Sequence, residues 1–226
     1  MEGYAIPNVD ISLHSPKVGI PVLWWRSVGN THTAFVKETM IDEMAAAAGK
    51  DPVDYRKSLL APGSRELSAL TLAADKAGWG KPLPAGRARG VAVHESFGTV
   101  VAEVVEVSLS GSNIKVHKVV AAIECGLAVN PGGVVAQVEG AIAFGLSAAL
   151  SGAITLKDGV VEQSNFHDYA PIRIGDMPLV EVHIVPSSQP PSGVGEPGVP
   201  PIAPAVANAV FALNGKRLRS LPLKVG

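Results

Sequence analysis

Residues 90–123, GVAVHESFGTVVAEVVEVSLSGSNIKVHKVVAAI, decide the fold. Valine dominates, and β-branched side chains pack well on a pleated surface while losing rotamer freedom in a helix. Apolar and polar residues alternate in part over 90–109 and again over 114–123, so both stretches read as strands. Between them, Ser110-Gly111-Ser112-Asn113 supplies the small polar residues of a hairpin.

Upstream the period is helical. Over 34–48, Phe35, Val36, Met40, Ile41 and Met44 recur at helical spacing with Lys37, Glu38, Asp42 and Glu43 between them. A helix is predicted to start near Asn30 or Thr31 and to stop at Gly49. Asp51-Pro52 gives an N-cap and a proline at the first helical position, opening a short helix to Leu59 or Leu60. A third helix, about 65–77, ends at Gly78. Residues 1–29 read as extended and loop structure, because Pro7, Pro16 and Pro21 interrupt any helix while 18–25 supply strand-type residues. Pro82, Pro84 and Gly86 form a linker. It divides the chain into an N-terminal extended and helical part, 1–85, and an α+β part, 86–226.

Downstream, a helix over about 132–151 carries Ala136, Gly140, Ala141 and Gly145, small residues suited to close packing on a sheet. Strands are expected near 153–156, 160–164 and 180–185, with Asp158-Gly159 as a tight turn. Residues 186–204 contain seven prolines yet lead into an apolar helix, 203–213. A lone acid framed as Gly195-Glu196-Pro197 marks this segment as a rigid loop that delivers Glu196 to a fixed place. The fold class is α+β, with mixed sheets and packed helices and no Rossmann alternation.

Composition narrows the partners. The 226 residues are 47% hydrophobic and 17% charged with mean hydropathy +0.27, which leaves apolar surface for a further polypeptide. Net charge is −1 and the basic residues are scattered, so neither nucleic acid nor an anionic membrane is an expected partner. The single Cys125 excludes an intrachain disulfide and any cysteine-based zinc or iron–sulfur site. It reads as a small buried hydrophobe. His94, His117 and His183 lie on strand patterns without metal-ligand spacing, and no protein metal ligand is assigned. His167 is kept as a candidate pocket residue. Residues 1–23 lack the basic start and apolar run of a signal peptide, and no window of membrane-spanning length is free of Gly, Pro or charge. A soluble chain, cytoplasmic or periplasmic, is expected.

Four motifs in register carry a resemblance. Gly193-Val194-Gly195-Glu196-Pro197, with the helix after it ending in Gly215-Lys216-Arg217, resembles the C-terminal signature of the xanthine dehydrogenase and aldehyde oxidase superfamily of molybdenum hydroxylases. Trp25-Arg26-Ser27-Val28-Gly29, Cys125-Gly126 with Asn130-Pro131, and Gln137-Val138-Glu139-Gly140 agree in order. The Trp-Arg-Ser-Val-Gly form, with 163–169 (QSNFHDY), is most similar to the isoquinoline 1-oxidoreductase β-subunit group.

The resemblance implies part of a molybdopterin-binding domain of the xanthine dehydrogenase and aldehyde oxidase type. It implies a molybdenum-bearing molybdopterin, in its cytosine dinucleotide form, and [2Fe–2S] clusters on a small partner subunit that takes the electrons. By resemblance Glu196 is the general base, Gln137, Arg26 and Gly195 lie against the cofactor, and Val28 lines the substrate pocket. Relatives carry an aromatic at that last position, so Val28 makes more room. The implied substrates are N-heteroaromatic compounds of the isoquinoline type, or aldehydes, hydroxylated with oxygen from water. That reaction needs a base, because the attacking oxygen must lose its proton. Two loops that also face molybdenum in the family are absent, so the rest of a large subunit is an expected partner. The other reading is a non-catalytic structural or assembly module of the same fold.

Overall fold

The computed structural model describes residues 3–17, 19, 20 and 22–225. The chain forms helix α1 (Asn30–Ala47), α2 (Pro52–Leu59) and α3 (Arg65–Ala77), then strands β1 (Arg87–Ser96), β2 (Thr99–Ser110) and β3 (Asn113–Glu124). Helix α4 (Pro131–Leu150), β4 (Leu156–Lys157), β5 (Val160–Val161), β6 (Leu179–Ile184) and α5 (Ile202–Asn214) follow. The main sheet has the order β1-β2-β3-β6, with β1 to β3 an antiparallel meander and β6 parallel to β3. A mixed sheet with packed helices agrees with the predicted class.

Helices cover both faces of this sheet. Leu70 and Ala73 of α3 share one apolar cluster with Val91, Val93, Val100 and Val104. The other face, with Val101, Val105 and Val119, packs against Val138, Ile142 and Leu146 of α4 and Ile202, Val206 and Ala209 of α5. Burial on both faces is why β2 carries Val100-Val101 and Val104-Val105 in place of strict alternation. Helix α5 lies so close to β1 that a Cβ on Gly90 would fall 2.2 Å from Ala205 O and Ala209 N. Cys125 is buried in the same core.

The local chemistry explains the helix ends. Asp51 caps α2 by accepting from the N–H groups of Val53 and Asp54 at 2.8 and 3.0 Å. Ser64 caps α3, Gly78 closes it in the left-handed conformation, and Asn130 caps α4.

Four expectations need correction. Residues 90–109 are two strands, not one. They turn at Phe97-Gly98, where both residues have positive φ (55° and 72°) and pair β1 with β2. The face of α1 is also different: Val36 and Met40 are exposed, whereas Glu38 and Asp42 are buried. Arg56 is the reason, since its Nε donates to Glu38 Oε2 at 2.9 Å and its Nη1 lies 3.5 Å from Asp42. Glu38 also accepts the N–H of Val93 on the open edge of β1 and the hydroxyl of Tyr4. Third, no strand forms among the described residues of 18–25; Val18 and Pro21 lie outside them, as does the N-terminal Glu2. Last, the small residues of α4 meet α5 and the loop before it. A Cβ on Gly145 would press on Ile202, and one on Gly198 would press on Ala141.

Among the described helices, α4 alone is long and apolar enough to cross a bilayer by length and composition. Its Val138, Ile142 and Leu146 are fully buried in the core it shares with the sheet.

Candidate functional site

Three segments converge beside the N-terminal half of α4. The first is the turn 24–29, which enters α1. The second is the face of α4 that carries Gln137, Gly140 and Phe144, residues spaced three and four apart and so stacked along one side of the helix. The third is the proline-rich run 186–201. Hydrogen bonds fasten this run to the end of β3: Ser192 N–H donates to Cys125 O at 2.9 Å and Leu127 N–H to Gln189 O at 2.9 Å. Gly126 permits that contact, because its φ is +71° and a Cβ there would lie 2.1 Å from Pro190 O. The Cys125-Gly126 motif thus seats the loop. Thr99 Oγ1 and Ser192 Oγ, 2.6 Å apart, tie it to the β1–β2 hairpin as well.

Arg26 holds the three segments together. Its Nε donates to Gly195 O at 2.8 Å, and its Nη2 also contacts that carbonyl. The same Nη2 donates to Gln137 O and Oε1, both at 3.3 Å. Phe144 lies under the guanidinium, 5.8 Å from ring centre to Cζ, and stacks at a tilt on Trp25 with centroids 4.6 Å apart. Gly140 lies against the guanidinium, where a Cβ would make an ordinary contact with Arg26 Nη1 at 3.9 Å. Burial pulls the Arg26 guanidinium below its ordinary range, and the nearby Glu196 carboxylate opposes that fall.

Glu196 is half-buried and doubly held by Ser27. The Ser27 N–H donates to Glu196 Oε1 at 2.8 Å, and the Ser27 hydroxyl donates to Glu196 O at 2.7 Å. The Val199 N–H donates to the same carbonyl at 3.0 Å, which makes a tight turn over Pro197-Gly198. One carboxylate oxygen is therefore fixed, while Oε2 carries no hydrogen bond among the described residues.

The structure brings Arg26, Gln137, Gly195 and Glu196 into one site. Val28 sits on the same turn at φ +49° and is 45% exposed; its N–H bonds Trp25 O and its carbonyl accepts from Thr31 Oγ1. His167 does not join them. It is exposed beside Asp168, whose carboxylate caps the N–H groups of Ser164 and Asn165. Gln163 pairs with Thr155, so 163–169 forms a local turn. No cluster of three or more metal-ligating side chains occurs among the described residues. Sequence reading missed Ser27, Gly140 and Phe144 as site residues. The spacing of Gln137, Gly140 and Phe144 on one helical face was the available signal for the last two.

Residues 29–178 match the family model described as a molybdopterin cofactor-binding domain. The chain is 33% identical to the isoquinoline 1-oxidoreductase subunit beta of Brevundimonas diminuta over 229 aligned residues, covering 99% of this chain and 29% of that protein. It is also 33% identical to the membrane-bound aldehyde dehydrogenase (pyrroloquinoline-quinone) of Gluconacetobacter polyoxogenes, covering 89% and 29%. The aldehyde oxidoreductase of Desulfovibrio desulfuricans superposes with a TM-score of 0.74 at 15% identity, over 88% of this chain and 40% of that structure, and so shares the fold. The chain spans under a third of the length of these two relatives. With the family model matched over most of its length, the chain belongs to the molybdopterin cofactor-binding domain family of the molybdenum hydroxylases.

Proposed function

We propose that this chain supplies one wall of a molybdenum hydroxylase active site, with Glu196 as the general base. The observation that carries this reading is the convergence of Arg26, Gln137, Gly195 and Glu196, the first of which lies 111 residues from Gln137 and 169 from Gly195. A loop acid with no role would not need its backbone and carboxylate gripped from a segment so remote.

The residues fit such a cofactor. Gln137 is exposed, and Arg26 occupies its Oε1, so its amide N–H groups are left to donate to a ligand. The Gly195 N–H and Glu196 Oε2 likewise carry no hydrogen bond among the described residues, which leaves two donors and one acceptor at one place. Gln137 and Gly195 would hold the pterin, in its cytosine dinucleotide form, with Arg26 keeping both in register. When bound, the molybdenum cofactor supplies the two-electron acceptor for the oxidation.

Glu196 takes the proton from the attacking water-derived oxygen, and its fixed orientation means few conformations are lost on reaction. Val28, exposed on the turn beside it, faces substrate and leaves room for a fused ring. Oxidation of an N-heteroaromatic compound or an aldehyde follows the isoquinoline 1-oxidoreductase and aldehyde dehydrogenase relatives. Electrons then pass to an iron–sulfur subunit, and the rest of a large subunit completes the enclosure.

Metal content tests this reading. The chain alone is expected to hold no stoichiometric molybdenum, and the complete assembly to hold it. In that assembly, Gln137→Ala should lower molybdenum occupancy before it lowers the rate per molybdenum, since a buried partner left unpaired costs about 1–3 kcal/mol. An assembly without molybdenum would instead favour a structural module.

A further inference from the structure

Ser27 stands in the left-handed region at φ +74° and is fully buried, and Val28 follows it at φ +49°. Two consecutive non-glycine residues there are uncommon, because the Cβ crowds the carbonyl. Such a conformation persists where surrounding contacts hold it. The Ser27 carbonyl accepts from the Asn30 N–H at 3.0 Å, and its two other contacts are both to Glu196. The Ser27 N–H meets Oε1 at 2.8 Å and the Ser27 hydroxyl meets the Glu196 carbonyl at 2.7 Å, so backbone and side chain of one residue grip backbone and side chain of the other. Val28 N–H turns back to Trp25 O at 2.8 Å, which closes the turn and leaves the Ser27 N–H free for the carboxylate.

We infer that Ser27 is the positioning residue for Glu196: it ties down Oε1, so that the carboxylate accepts the substrate-side proton through Oε2. The inference rests on Glu196 being the base. In the step concerned, the O–H bond of the attacking oxygen breaks, its electron pair stays on that oxygen, and an Oε2–H bond forms.

The test uses Ser27→Gly and Ser27→Ala in the complete enzyme. Glycine accepts the left-handed backbone without strain and alanine does not, yet both lack the hydroxyl. Both are expected to lower kcat roughly tenfold with KM nearly unchanged, the size of effect of one lost hydrogen bond. A merely structural Ser27 would lower the melting temperature and leave kcat where it was, which overturns the inference. In a Glu196→Gln background Ser27→Gly should have no further effect; an undiminished tenfold loss there also overturns it. Hydrogen exchange of the Ser27 amide gives a readout apart from turnover. Glu196→Ala should speed that exchange, and an unchanged rate would show that Ser27 does not hold Glu196. Full turnover in Glu196→Gln would instead overturn the base reading itself, a result that exchange cannot mimic.

Discussion

Arg26 Nη2 donates to both the backbone carbonyl and the side-chain Oε1 of Gln137, at 3.3 Å each, from a turn 111 residues away. Its Nε meanwhile holds Gly195 O. This fork depends on the planar guanidinium, whose donors are fixed in relation to one another.

Arg26→Lys should therefore free the loop that carries Glu196 while keeping the charge. Amide exchange in peptides covering 190–198 is expected to accelerate, with α2 and α3 unaffected. Unchanged exchange over 190–198 would mean that the loop is held from β3 and Ser27 alone.

Arg56 is fully buried, and Glu38 beside it is equally so. Burial works against the charge of Arg56, but Glu38, Tyr4 and Asp42 outweigh it and hold the guanidinium above its ordinary value. Removing one partner of such a pair leaves the other charge uncompensated, at about 3–5 kcal/mol. Arg56→Met should accordingly lower the melting temperature by roughly 10 °C. We propose further that 1–85 and 86–226, divided in sequence by the linker, unfold in one transition, because Leu70 and Val104 share a core. Two separate transitions in a calorimetric scan would contradict that.

Two buried groups make stability depend on pH with opposite sign. Burial, aided by Lys37, lowers His94 to about 3, so the folded chain keeps it neutral while the unfolded chain protonates it below the ordinary 6.5. Stability is thus lost as pH falls from about 6.5 towards 3, by at most about 1.4 kcal/mol per unit. Burial raises Glu103 well above the ordinary 4.5, and neither of its oxygens has a hydrogen-bond partner among the described residues. The folded chain keeps it protonated, so its share of stability is present below about 4.5 and is lost as pH rises. Glu103→Gln should become progressively more stable than the parent as pH increases from 5 to 8, measured by thermal unfolding. A difference independent of pH would mean that Glu103 is ionised in the fold.

Much of the fold was legible because its signals are local. Asp51-Pro52 and Gly78 mark helix ends through chemistry that acts within one turn, and the observed helices start or stop there. The hairpin at Phe97-Gly98 was not legible, because a phenylalanine at positive φ carries none of the usual Asn-Gly or Asp-Gly signal. Glu38 and Asp42 misled for a different reason. Their burial depends on Arg56 and Arg217, which the sequence places 18 and 175 residues away. At the site, resemblance pointed to Arg26, Gln137 and Glu196. Ser27 escaped because its role lies largely in a backbone N–H and a left-handed φ, neither of which a residue type encodes.

The central claim is that Glu196 moves a proton and does not bind the metal. The most direct measurement is turnover per bound molybdenum in the complete enzyme carrying Glu196→Gln. Loss of a general base typically costs 10²–10⁴-fold, and a base that also orients substrate belongs at the upper end, so a fall of about 10⁴-fold with molybdenum content nearly intact is expected. Appreciable turnover, or loss of the metal along with the activity, would contradict it.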